Sequence, residues 1–110
     1  MRAILVSETN EPNEVQVSSY KDYYKLLNAK QFGVARVKWK DIDIVICMDD
    51  YGILKSGNLG RNIKGCSLPL FGNLVICGGV DVKGNPFNLP ESITIADVEE
   101  RISIPLYTIK

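Results

Sequence analysis

An α+β fold with a mainly antiparallel sheet built from hairpins is what this sequence predicts, and three observations carry the prediction. Apolar residues recur at a period of two in stretches that come in adjacent pairs. Only two stretches, one early and one late, switch to the helical period. The order that results, β-β-α-β-β-loop-β-loop-α with a possible short strand at the end, does not fit a doubly wound dinucleotide fold.

The first pair is "AILV" (3–6), a short buried strand, and "EVQVS" (14–18), an alternating one, with the turn "EPNE" (11–14) between them. The period then changes. Tyr20, Tyr23, Tyr24 and Leu27 match the i, i+3, i+4, i+7 template and Leu26 widens the stripe, which predicts a helix over about 20–29 that stops before Gly33. Ser19 followed by Asp22 reads as its capping-box-like start. The three tyrosines are expected to cover the sheet with their hydroxyls at the rim. The alternative is a weak nucleic-acid-binding accessory protein in which Tyr20 and Tyr24 stack on bases and the later Gly-rich loop meets phosphates.

A second hairpin is predicted over 33–50. Ile42, Ile44, Ile46 and Met48 share one face, and Asp43, Val45 and Cys47 the other; Val34, Arg36 and Lys38 oppose Ala35, Val37 and Trp39 in the same way. Residues 53–72 are punctuated by glycine and proline and read as a long Gly-rich loop, and "LVICGGV" (74–80) reads as a central strand. The last helix has Thr94 as N-cap, Asp97 at N3 and an Ile93–Val98 staple. Its face is Ile95, Val98 and Ile102, and Pro105 is expected to end it. "LYTI" (106–109) is expected as a terminal strand or as an arm on a partner.

Bulk properties narrow the function. A chain of 110 residues fits one domain, 1–110, and buries enough surface to need neither metal nor disulfide. A formal charge of zero argues against DNA and anionic membranes as partners. The three cysteines, Cys47, Cys66 and Cys77, form no CxxC pair. With no histidine present, the usual Cys/His zinc sites, Ser-His and Cys-His nucleophiles and histidine bases cannot be written. Reduced thiols and the lack of a leader-like or membrane-length apolar run give the expectation of a cytoplasmic protein without cofactor.

The segment "SGNLGRNIKG" (56–65) is the best candidate site. As a phosphate-binding P-loop it fails, because Cys66 stands where the lysine must be and Pro69 cuts the helix that would follow. As a single-strand clamp, "GNLGRNI" lacks helices on both sides, and Ser56 replaces the expected aliphatic residue. Electrostatics gives a better reason. From Tyr51 to Val80 there is no Asp or Glu, and Lys55, Arg61 and Lys64 give the stretch +3, which leaves −3 for the rest of the chain. Lys55, Asn58, Gly60, Arg61, Asn62 and Lys64 are therefore the expected anion-binding residues, with glycine opening the backbone N–H groups and Arg61 offering a bidentate grip. Asp49 and Asp50 form the competing candidate, a carboxylate pair for a divalent ion in phosphoryl hydrolysis or transfer.

The opening "MRAILV", the helix "YKDYYKLLNA", "DIDIVICMDDYGILKSGNLGRNI", "PLFGNLVICGG" and the closing "LPESITIADVEERI" together resemble domain of unknown function 3846, a small family of phages, plasmids and bacterial mobile regions. The shared features fall on Asp49, Asp50 and Gly52, on Asn58, Arg61 and Asn62, and on Gly72–Gly78. "CMDDYG" is less acidic than the family's turn. The resemblance implies an accessory protein of a mobile element and no catalytic residues. The expectation is a non-enzymatic protein that sequesters an anionic, nucleotide-like ligand or binds a host protein. Edge strands and the tail "IPLYTI" offer a homodimer interface.

Overall fold

The structure, a computed structural model, describes residues 1–7, 11–52, 55 and 57–108. Ser56 and Ile109, which the readings of the loop and the tail invoke, lie outside the described residues. The first hairpin is β1 (Arg2–Val6) and β2 (Asn13–Gln16), and the second is β3 (Phe32–Trp39) and β4 (Ile42–Asp49). With β7 (Leu74–Cys77) they make a five-stranded sheet in the order β2-β1-β7-β4-β3, antiparallel throughout. The predicted α+β class is therefore observed. The β3–β4 turn has positive φ at both Lys40 and Asp41, the two-residue turn whose twist matches the strands it joins.

The period-two pattern decides what lies on each side of this sheet. Ile4, Val6, Val37, Trp39, Ile44, Ile46, Leu74 and Ile76 form one core, closed by α2 (Ile95–Arg101) and by Ile63, Leu89 and Ile93. Ala3, Val45, Cys47, Val75 and Cys77 form the other, covered by α1 (Lys21–Leu26) through Tyr23 and Leu27. Cys47 and Cys77 are free, buried thiols. The Tyr23 hydroxyl is not at a rim: it donates to the Cys77 sulfur at 3.5 Å, and burial drives its pKa far above the ordinary tyrosine value.

Both helices are shorter than the sequence predicts, for identifiable reasons. The N-cap of α1 is Tyr20, not Ser19; Asp22 still accepts from the Ser18 and Ser19 N–H groups, while Ser19 Oγ turns to the Lys21 N–H. At the other end Asn28 adopts φ 51°, its N–H reaches the Lys25 carbonyl at 3.2 Å, and the Ala29 N–H reaches the Tyr24 carbonyl at 3.0 Å. That pair of bonds is a Schellman stop, and it closes the helix well before Gly33. α2 has the predicted capping box of Thr94 and Asp97, with Ile93 and Val98 both buried. It ends at Arg101, ahead of Pro105, because Ile102 turns extended and bridges Ile63.

The predicted long loop is only partly a loop. It contains β5 (Leu59–Arg61) and β6 (Leu70–Phe71), which with β10 (Tyr107–Thr108) build a three-stranded sheet in the order β10-β5-β6. The tail therefore supplies a strand of its own chain. The apolar run 74–80 also splits. After Cys77 the chain leaves the large sheet, and β8 (Gly79–Val80) pairs with β9 (Pro86–Phe87). Glycine is required at the break, where a Cβ on Gly78 would run into the Asn88 carbonyl.

Candidate functional site

The six expected anion-binding residues do not converge. Arg61, on β5, is half-buried and donates to the Ser103 carbonyl at 3.0 Å and the Ser7 carbonyl at 3.1 Å. The Asn62 main chain bonds Ser103 twice: its N–H donates to the Ser103 side-chain Oγ at 2.9 Å and its carbonyl accepts the Ser103 N–H at 2.9 Å. The Lys64 N–H bonds the Arg101 carbonyl, and its own carbonyl accepts from Trp39 Nε1 at 2.9 Å. Gly60 is there for close packing, since a Cβ would overlap the Phe71 ring. Arg61, Asn62 and Lys64 fasten the small sheet to the end of α2, and Gly60 lets its strands pack closely. The cavity of about 350 Å³ beside Arg61 also holds Glu11 and Glu99, whose carboxylates oppose an incoming anion.

Lys55 and Asn58 go elsewhere. The Schellman turn that ends α1 aims the Asn28 carbonyl toward the end of β4, and Lys55 Nζ donates to it at 3.1 Å. The same ammonium is ion-paired with Asp49, whose side chain is 3% exposed and which is the one buried charged residue among those described. Asp49 Oδ1 also accepts the Tyr51 N–H at 3.0 Å, which curls the chain as it leaves β4. Asn58 Nδ2 holds the Gly52 carbonyl at 2.8 Å, and Asn73 Nδ2 holds the Leu26 carbonyl at 2.9 Å. Strand end, turn and helix end are thus tied by side-chain amides around one carboxylate.

In front of Lys55 opens a cleft of about 580 Å³, walled by Tyr24 and Tyr51 and flanked by Asn28, Ala29 and Lys30. Tyr24 is held edge-on by Phe32 at 5.5 Å between ring centroids, and the Tyr51 hydroxyl donates to Gln31 at 3.0 Å. A smaller recess of about 70 Å³ continues inward to Asn58 and Asn73. An ammonium carries three N–H donors. Asp49 and Asn28 engage Lys55 and fix its position at the cleft, which leaves donor capacity for an acceptor brought by a ligand.

Asp49 and Asp50 diverge. Asp49 faces Lys55, whereas the Asp50 carboxylate lies over Gly33, so the two do not frame one ion. Among the described residues no group of three or more acidic or cysteine side chains could hold a metal, and no helix is long and apolar enough to cross a membrane. Of the cleft residues, Tyr24 was a sequence candidate only as a base-stacking side chain, and Asn28, Lys30 and Tyr51 were not among the candidates; the asparagine at the end of the α1 apolar stripe was the available signal. A scan against protein-family models matches no family, and searches of the curated proteins and of the solved structures likewise return no match.

Proposed function

We propose that this protein binds a small anionic ligand bearing a flat ring, of the nucleotide kind, in the Tyr24–Tyr51 cleft, and does so without turnover. The observation that carries this reading is Lys55: a cation held at two points by Asp49 and the Asn28 carbonyl, at the mouth of a cleft with aromatic walls. A phosphate or carboxylate would take the remaining Lys55 N–H and meet Lys30 at the rim, while the ring lies against Tyr24 or Tyr51. Such a pocket, largely apolar with a few fixed polar groups, suits recognition of small molecules. The resemblance to domain of unknown function 3846 extends the proposal to an accessory role for a mobile element, in which a host ligand is withheld or a host protein is bound.

Native mass spectrometry of the protein, incubated with a panel of nucleoside mono- and diphosphates, tests this reading. The expected result is a one-to-one adduct that survives in Arg61→Ala and is lost in Lys55→Ala. Adducts lost in Arg61→Ala and kept in Lys55→Ala would overturn it, as would conversion of a panel member to product.

A further inference from the structure

β3 is an edge of the large sheet and its register is fully defined. The two-residue turn makes Trp39 and Ile42 the closing hydrogen-bonded pair, and the Asp50 N–H to Gln31 carbonyl bond at 3.1 Å confirms the same parity at the far end. Alternation then turns the main-chain groups of Phe32, Val34, Arg36 and Lys38 outward. None of these outward groups has a hydrogen-bond partner among the described residues. The strand runs eight residues without proline.

The side chains of the same four residues lie on the α1 face, where the short helix leaves the end of β3 uncovered. Arg36 has no ion-pair partner among the described residues, and Lys38 has only an exposed contact with Asp43 at 3.8 Å. Val34 is 39% exposed. Beside them lies a groove of about 630 Å³ lined by Arg36, Lys38, Asp43, Val45, Val80 and Phe87, with the Phe87 ring half in water. The two cations outnumber the single Asp43 carboxylate, which is highly exposed. It opens where the chain leaves β7 at Gly78 and β4 loses its neighbour.

We propose that β3 is a docking edge for an extended acidic segment of a partner protein, added as a further strand of the sheet. The outward main-chain groups supply the ladder bonds. Arg36 and Lys38 meet carboxylates at alternate positions of the added strand, and the groove takes an apolar side chain reaching over β3. Charge selects this occupant over a second copy. Pairing β3 with β3 around a two-fold axis centred on Arg36 or Val37 sets Arg36 opposite Arg36 or Lys38 of the other chain, which is destabilising. Centred on Ala35, it leaves the two Arg36 side chains diagonal neighbours with no opposite charge gained. The cations therefore guard the edge against self-pairing and favour an acidic strand. The opposite edge, β2, is four residues long and its Glu14 is engaged by Arg2.

The test uses the full chain and a fluorescein-labelled peptide of about ten residues alternating glutamate with valine, with a lysine–valine peptide as counterpart. Anisotropy should report a Kd below about 1 mM for the acidic peptide and at least about tenfold weaker binding of the basic one. Amide exchange at Val34, Arg36 and Lys38 should slow on binding. Arg36→Glu with Lys38→Glu, both at exposed positions, should reverse the preference. Val34→Pro removes one outward N–H and no ladder bond, and should weaken the acidic peptide at unchanged charge. Absence of binding, equal binding of both peptides, or indifference to both variants would overturn the proposal. So would a dimer whose β3 amides are already protected without peptide.

Discussion

Lys55 and Arg61 stand on the same acid-free segment and look interchangeable as anion ligands, yet the fold uses them in opposite ways. Around Arg61 the chain is in a small sheet that abuts the extended end of α2, so main-chain carbonyls of Ser7 and Ser103 lie within reach and take the guanidinium. Around Lys55 the chain is in a turn, and the ammonium is held by Asp49 and Asn28 at an open cleft. Side-chain charge is the same on both sides of the comparison. What differs is how many backbone acceptors the local structure presents, and that decides whether a cation becomes a brace or a contact for ligand.

The largest effect that would sharpen this contrast is expected from Trp39→Ala. It empties a buried site and removes the donor to the Lys64 carbonyl, and it should cost about 3–5 kcal/mol in denaturant unfolding. Arg61→Ala should come next. It strips a charged donor from two half-buried carbonyls, lowering stability by about 1.5–3 kcal/mol while ligand affinity stays unchanged. The two roles would collapse into one if affinity fell and stability held.

Lys55→Ala should show the converse, with affinity reduced at least about tenfold, or about 1.4 kcal/mol. Its cost in stability should be about 1–3 kcal/mol: water screens the half-exposed lysine, but the buried Asp49 carboxylate keeps the Tyr51 N–H and loses its cation. Calorimetric titration beside urea melts separates the two quantities.

Acid should produce the smallest effect, and away from both regions. The Ser18, Asn85 and Thr94 backbone N–H groups hold Asp22, Asp81 and Asp97 respectively below the ordinary carboxylate value of 3.8. Carboxylates with depressed folded-state pKa values stabilise the fold above the unfolded value, and the contribution is lost as pH falls through the folded one. Urea midpoints should therefore be flat from neutral to mildly acid pH with respect to these three groups and decline below about pH 4. Stability rising on acidification below that point would contradict the assigned bonds.

Much of the large sheet was legible because one period decides both faces. The alternation over Ile42–Met48 assigned these β4 side chains to their correct faces, and Thr94–Asp97 announced the start of α2. The small sheet was not legible. Its strands are two or three residues long, too short for a period, and β5 carries a glycine because Phe71 packs there. The early stop of α1 was hidden in Asn28, whose left-handed backbone a periodic template does not register. Half of the candidate residues are engaged elsewhere in the fold for a related reason. The Ser7 and Ser103 groups that Arg61 engages are backbone carbonyls, which have no signature in sequence, whereas the pairing of Asp49 with Lys55 joins residues six apart through side chains whose meeting no periodicity announces.

The most direct test is a ¹H–¹⁵N titration of the protein with adenosine monophosphate as the probe. The account predicts that perturbed amides cluster at Tyr24–Lys30, Tyr51 and Lys55, with Arg61, Asn62 and Ser103 unmoved. Perturbations centred on Arg61 and Ser103, or none at any ligand concentration, would contradict it.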